Sequence, residues 1–157
     1  MAVDINKGTH KIAFPNKLLA MMGGRHTYNV TLAANHDNGE LILRTTKWNS
    51  FDNYDEATNG TITFAGYIQG QAADGTWYIE VTADTDALLV YNTPVSPYVE
   101  FELKDDALFY NAKDETVEGI SLAKGDIFSV STNGFNGTPV AGKTVSYSNG
   151  KYVVANS

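Results

Sequence analysis

Residues 76–82 read TWYIEVT, and this stretch decides the fold class. Trp77, Ile79 and Val81 fall on one side of an extended chain, with Thr76, Tyr78, Glu80 and Thr82 on the other. Successive side chains of a strand point to opposite faces, so this alternation marks a half-buried strand. The same period recurs on either side of it. TYNVTLAA groups Tyr28, Val30, Leu32 and Ala34, and TITFAGYI groups Ile62, Phe64, Gly66 and Ile68. YVEFEL turns Val99, Phe101 and Leu103 inward and Tyr98, Glu100 and Glu102 outward. GELILRTTKW, ALLVYN, DIFSVS and KTVSYSNGKYVVA follow the pattern less strictly.

The separators agree with this reading. Asn38-Gly39, Asn59-Gly60, Asp74-Gly75, Asn133-Gly134, Asn136-Gly137 and Asn149-Gly150 are turn dipeptides that tolerate positive φ. The last of them makes VSYSNGKYVV a tight two-residue hairpin. Many short strands with glycine turns and little helix predict an all-β domain, an antiparallel β-sandwich or β-barrel. At 157 residues the chain fits one domain that buries roughly 70% of its unfolded surface. The expected division is an N-terminal arm or cap over residues 1–27 and a single β-rich domain over 28–157.

The N-terminal part departs from the period of two. PNKLLAMMGG has the makings of one or two helical turns stopped by Gly23-Gly24. It carries Ile12, Phe14, Leu18, Leu19, Met21 and Met22, which serve either a cap over the open end of the barrel or an arm docked on a neighbouring subunit. These six residues are the candidate partner contacts.

Composition excludes several function classes. There are 18 acidic against 11 basic residues, a net charge of −7, and the basic residues are scattered, so no nucleic-acid partner is expected. No apolar run approaches the ~20 residues of a membrane helix, and no membrane partner is expected. The absence of cysteine excludes disulfides and thiolate metal sites, and it fits assembly in a reducing cytoplasm. The N-terminal residues lack the charged and apolar regions of a secretion signal.

Motifs for catalysis are equally sparse. His10, His26 and His36 have no spacing that sets two ligands on one helix face, so solvent-facing or locally bonded histidines are the expectation beside a site assembled from separate strands. No G-x-S-x-G elbow and no glycine-rich phosphate loop occurs. Glu80, Glu100 and Glu102 offer carboxylate pairs of a kind any acidic sheet face offers. FDNYDEATNG and ADTDA invite a turn-stabilising calcium ion, but ordinary Asx turns account for both. The aromatics remain. Trp48, Tyr54, Tyr67, Tyr78 and Tyr98 suit sugar stacking, a protein interface or cross-strand pairing.

One resemblance joins these pieces. The order DNGELI, GTWYIEVT, LLVYNTPV, FYNAKDETVEGISLAKGDIFSVS and GKTVSYSNGKYVV resembles small structural proteins of tailed bacteriophages, the capsid decoration or head auxiliary family. It is carried by Asn38-Gly39, Trp77-Tyr78, Leu88 to Tyr91 with Pro94, and Leu122 with Gly125-Asp126, Phe128 and Ser131, over roughly residues 35–155. The resemblance implies a non-enzymatic virion protein without cofactor, assembled in the host bacterial cytoplasm. It implies attachment to the major capsid protein on the outer capsid surface, self-association into a homo-oligomer, and reinforcement of the shell. A tail, adaptor or fibre-base component and a carbohydrate-binding β-sandwich are the alternatives.

Overall fold

The computed structural model describes residues 2–3, 10–17, 27–48, 53–92 and 109–155. Among them there is no α-helix, and the strands form three sheets. In chain order the strands are β1 Ala2–Val3, β2 Ala13–Lys17, β3 Thr27–Thr31, β4 Leu41–Ile42, β5 Arg44–Trp48, β6 Tyr54–Glu56, β7 Gly66–Gln71 and β8 Trp77–Val81. They continue as β9 Leu88–Val90, β10 Phe109–Tyr110, β11 Thr116–Ser121, β12 Ile127–Val130, β13 Phe135–Asn136, β14 Thr144–Ser148 and β15 Lys151–Val154. A seven-stranded sheet has the order β13-β15-β14-β7-β8-β12-β2 and a six-stranded sheet the order β4-β9-β11-β3-β6-β5, while β1 pairs with β10. Pairing is antiparallel except for β3 with β6 and β13 with β15.

The two large sheets meet over one apolar core. Ile68, Ile79, Phe128 and Tyr152 of the seven-stranded sheet share it with Leu41, Leu89 and Ile120 of the six-stranded sheet. Tyr152 sits at its centre, with ring centroids of Tyr147, Phe64 and Phe128 at 5.1, 5.4 and 5.7 Å. A second cluster of Val30, Leu32, Ile42, Leu88, Val90 and Val117 covers the opposite face of the six-stranded sheet. Strand β9 therefore buries Leu89 on one side and Leu88 and Val90 on the other. Burial on both faces removes the alternation, which is why ALLVYN lacks a clean period.

Sequence alternation places the core elsewhere too: Ile79 and Val81 are buried, with Trp77 packed beside them. The Asn149-Gly150 hairpin forms as expected, with φ of 51° and 77°, the doubly positive pair that a tight two-residue turn needs. YVEFEL lies outside the described residues.

The expected helical turn from Pro15 is not what Pro15–Lys17 adopt. These residues belong to β2, which pairs antiparallel with β12, with Ala13 opposite Val130 and Phe14 opposite Ser129. Strand β2 is an edge, the place in a sheet where proline's missing N–H is tolerated. Leu18, Leu19, Met21 and Met22 lie outside the described residues.

Candidate functional site

The loop from Ala33 to Glu40, between β3 and β4, gathers a dense set of polar contacts. His36 is fixed first by its backbone, which donates to the Asn111 carbonyl and accepts from the Asn111 N–H, both at 2.8 Å. Three residues on, Gly39 takes φ of +90°, and a Cβ there would stand 2.7 Å from that of Ala13. Only glycine suits both the dihedral and the space. The tight turn lets the Asp37 N–H donate to the Glu40 carboxylate at 2.9 Å.

This brings the His36 ring between two carboxylates. Nδ1 lies 3.0 Å from Glu40 Oε1 and Nε2 lies 2.6 Å from Glu56 Oε1. A carboxylate only accepts, so full satisfaction of both contacts needs a proton on each nitrogen, the imidazolium form. Burial pulls the His36 pKa down, but the hydrogen bonds and charges of Glu40 and Glu56 outweigh it and raise the value to about 9. Burial likewise opposes the charged forms of Glu40 and Glu56. The His36 hydrogen bonds, with Lys11 beside Glu40 and the Ala33 N–H on Glu56, nevertheless hold both below the usual carboxylate range.

The N-terminal segment completes the cluster. Lys11 Nζ donates to Glu40 Oε2 at 3.0 Å and to the Gly150 carbonyl at 2.6 Å, and the Lys11 N–H donates to Asp37 Oδ2 at 3.1 Å. His10 contacts Asp37 through Nδ1 at 2.6 Å and stacks on Tyr110, centroid to centroid 4.8 Å. Protonated His36 and Lys11 balance Glu40 and Glu56. The cluster thus ties the N-terminal segment, the β3–β4 loop, β6 and the β14–β15 turn.

Beside it opens a cleft of about 550 Å³, lined by His36, Glu40, Glu56 and Tyr147 together with Leu43 and Ile62. The Tyr147 hydroxyl accepts the Leu41 N–H at 3.0 Å, and burial, reinforced by the charges of Glu40 and Glu56, raises its pKa. The carboxylate oxygens that border this cleft already accept from His36, Lys11 or backbone N–H groups. That is the chemistry of a structural tie. Among the described residues no group of three His, Asp or Glu side chains is arranged to hold a metal ion.

A neutral counterpart flanks the same loop. Asn38 donates to the Asn92 carbonyl at 2.8 Å and accepts from the Asn92 N–H at 3.0 Å and from Asn111 Nδ2 at 3.1 Å. Asn92 Nδ2 closes the ring onto Asn111 Oδ1 at 3.1 Å. Asn111 is fully buried.

The residues singled out from sequence are dispersed. Ile12 exchanges backbone bonds with Ser131, its N–H going to the hydroxyl and its carbonyl accepting the Ser131 N–H. Ile12 and Phe14 are half-buried. Tyr54 is spent internally: the Arg44 guanidinium lies 4.3 Å from the ring centres of both Tyr28 and Tyr54. Tyr67 and Glu80 are cross-strand partners, with Gln69 Nε2 donating to Glu80 at 2.9 Å. Asp84 accepts the Lys124 N–H at 2.9 Å, and Asp74 accepts both the N–H and the hydroxyl of Thr76, an Asx turn. His26 lies outside the described residues. Sequence reasoning left Lys11, Glu40 and Glu56 unmarked. Its only handle was His36 four residues before Glu40 around an Asn-Gly turn.

No family model matches the chain, and comparison with curated proteins and with solved structures likewise finds no match.

Proposed function

We propose that this chain is a non-enzymatic structural protein of a tailed-bacteriophage virion, a decoration protein that binds the outer capsid surface and reinforces the shell. The observation that carries the reading is the position of the N-terminal contact candidates. Ile12 and Phe14 lead into and occupy β2, the edge of the seven-stranded sheet, and the sequence runs on directly into Leu18, Leu19, Met21 and Met22. An edge strand that carries half-buried apolar side chains offers side-chain contact to a partner. Such contacts, each modest, become strong when symmetry repeats them over the major capsid protein, with the decoration protein itself a homo-oligomer. A framework of two sheets with its buried polar groups tied to one another suits a passive scaffold.

The test is quantitative mass spectrometry of density-purified virions from the source culture. A copy number of the same order as the major capsid protein supports decoration. A few copies per particle move the protein to a tail, adaptor or fibre base, and absence removes the virion reading.

A carbohydrate-binding role is favoured by one feature. Tyr67, Gln69 and Glu80 gather on the sheet beside Gly70, which pairs with Tyr78 and has open space above it. Glycan-array binding lost in Tyr78→Ala would favour that reading.

A further inference from the structure

We propose that the His36-centred cluster is a pH-operated latch on the N-terminal segment: outside a near-neutral window, residues 10–17 leave the edge of the seven-stranded sheet while both sheets stay folded. The inference concerns the isolated chain and does not rest on the capsid reading.

It begins from what holds residues 10–17 in place. Ala13 is the one buried apolar side chain among residues 10–15; Ile12 and Phe14 are only partly covered. Removing this strand therefore exposes little apolar surface, and segments of that kind are where local opening separates from global unfolding. Besides its backbone pairing to β12 and Ser131, the segment is held by polar contacts. Lys11 reaches Glu40, Asp37 and the Gly150 carbonyl, and His10 reaches Asp37. Glu40 in that set faces cations from two elements, Lys11 of the segment and His36 of its own loop, while Asp37 is held by the segment alone.

The groups that face this cluster come from every side. Lys11 and His10 stand on the segment itself, His36, Asp37 and Glu40 on the β3–β4 loop, Glu56 on β6 and Tyr147 on β14, with Tyr110 stacked on His10. Glu40 and Glu56 have folded-state values below their ordinary 4.5, so their contribution is complete above that value. It is lost as pH falls through the depressed values. Once the carboxylates are protonated, the Lys11 and His36 cations on either side of Glu40 have lost their shared counter-charge. His36 works in the opposite direction. Its contribution is complete below the ordinary 6.5 and is lost as pH rises through about 9. A neutral imidazole donates to one carboxylate only, and the other is left with a lone pair facing its acceptor nitrogen. Tyr147 keeps its proton throughout, because burial raises its pKa.

Methyl NMR on the full chain, labelled at isoleucine and alanine, tests this because methyl signals survive alkaline solution. Ile12 and Ala13 report the segment, and Ile79 and Ile120 report the core. The expected result is that the Ile12 and Ala13 methyls reach random-coil positions as pH falls through the depressed carboxylate range and again above about pH 9.5, while Ile79 and Ile120 keep native shifts. His36→Gln should abolish the alkaline step and retain the acid one. Simultaneous movement of all four methyls, or no movement between about pH 2 and about pH 10, overturns the proposal. So does an alkaline step that persists in His36→Gln. If that variant does not fold, the His36 ring 13Cε1 shift of the wild type decides: a midpoint near 9 supports the latch, and one at 6.5 overturns it.

Discussion

The β3–β4 loop is pinned by two polar clusters that work through different chemistry. Asn38, Asn92 and Asn111 form a ring of neutral amides joined by four hydrogen bonds, two of them accepted by Asn38 Oδ1. His36, Glu40, Glu56 and Lys11 form a ring of charges in which the geometry is satisfied only when the proton count is right. Buried neutral hydrogen bonds hold at any moderate pH, whereas a buried ion pair is a strength only while both partners are ionised. The same loop is thus fixed on one side by a permanent clasp and on the other by a conditional one.

The largest expected effect is on the neutral side. Asn38→Ala strands the Asn92 N–H and the Asn111 amide in a buried site, which should cost about 3 kcal/mol of unfolding free energy. Urea titrations at pH 5, 7 and 9 should give the same loss at each. A loss that varies with pH would dissolve the distinction between the clusters. Glu56→Gln comes next, at about 2 kcal/mol near pH 7. Glu56 has a depressed pKa, so its contribution is present above its ordinary value and lost as pH falls through the folded value. The difference from wild type should therefore fade as pH falls through that depressed value, in urea titrations extended into the acid range. The smallest effect is expected at Tyr152, whose hydroxyl donates to the Gly39 carbonyl at 2.7 Å from within the core. Tyr152→Phe should lower the thermal midpoint by an amount equivalent to about 1 kcal/mol, equally at pH 5 and pH 8, since burial holds that hydroxyl protonated.

Legibility in the sequence followed the same division. Ile79, Val81 and Val30 were readable because one-sided burial imposes a period of two, and the Asn149-Gly150 turn because its dihedrals demand those residues. Strand β9 was blurred by burial on both faces. Strand β2 was hidden because it is short and contains Pro15, and its pairing partner lies far along the chain. The ionic cluster left no periodic trace at all. Lys11 and Glu40 are 29 positions apart, and His36 and Glu56 are 20 apart. Contacts made by long polar side chains across loops depend on tertiary placement alone.

That remote partner gives the N-terminal strand a history during synthesis. Phe14 of β2 pairs with Ser129, so over a hundred residues separate the two. At about 5–20 residues per second, a nascent chain spends roughly 6–23 s making them, and β2 has no β12 to join in that time. The β7–β8 pair can form before β12 is made, so β2, though the first strand of the seven-stranded sheet in chain order, joins that sheet only after them. Proline in the waiting strand makes it a poor template for pairing with a neighbouring nascent copy. Pro15, which costs nothing at the finished edge, guards the strand while the edge does not yet exist.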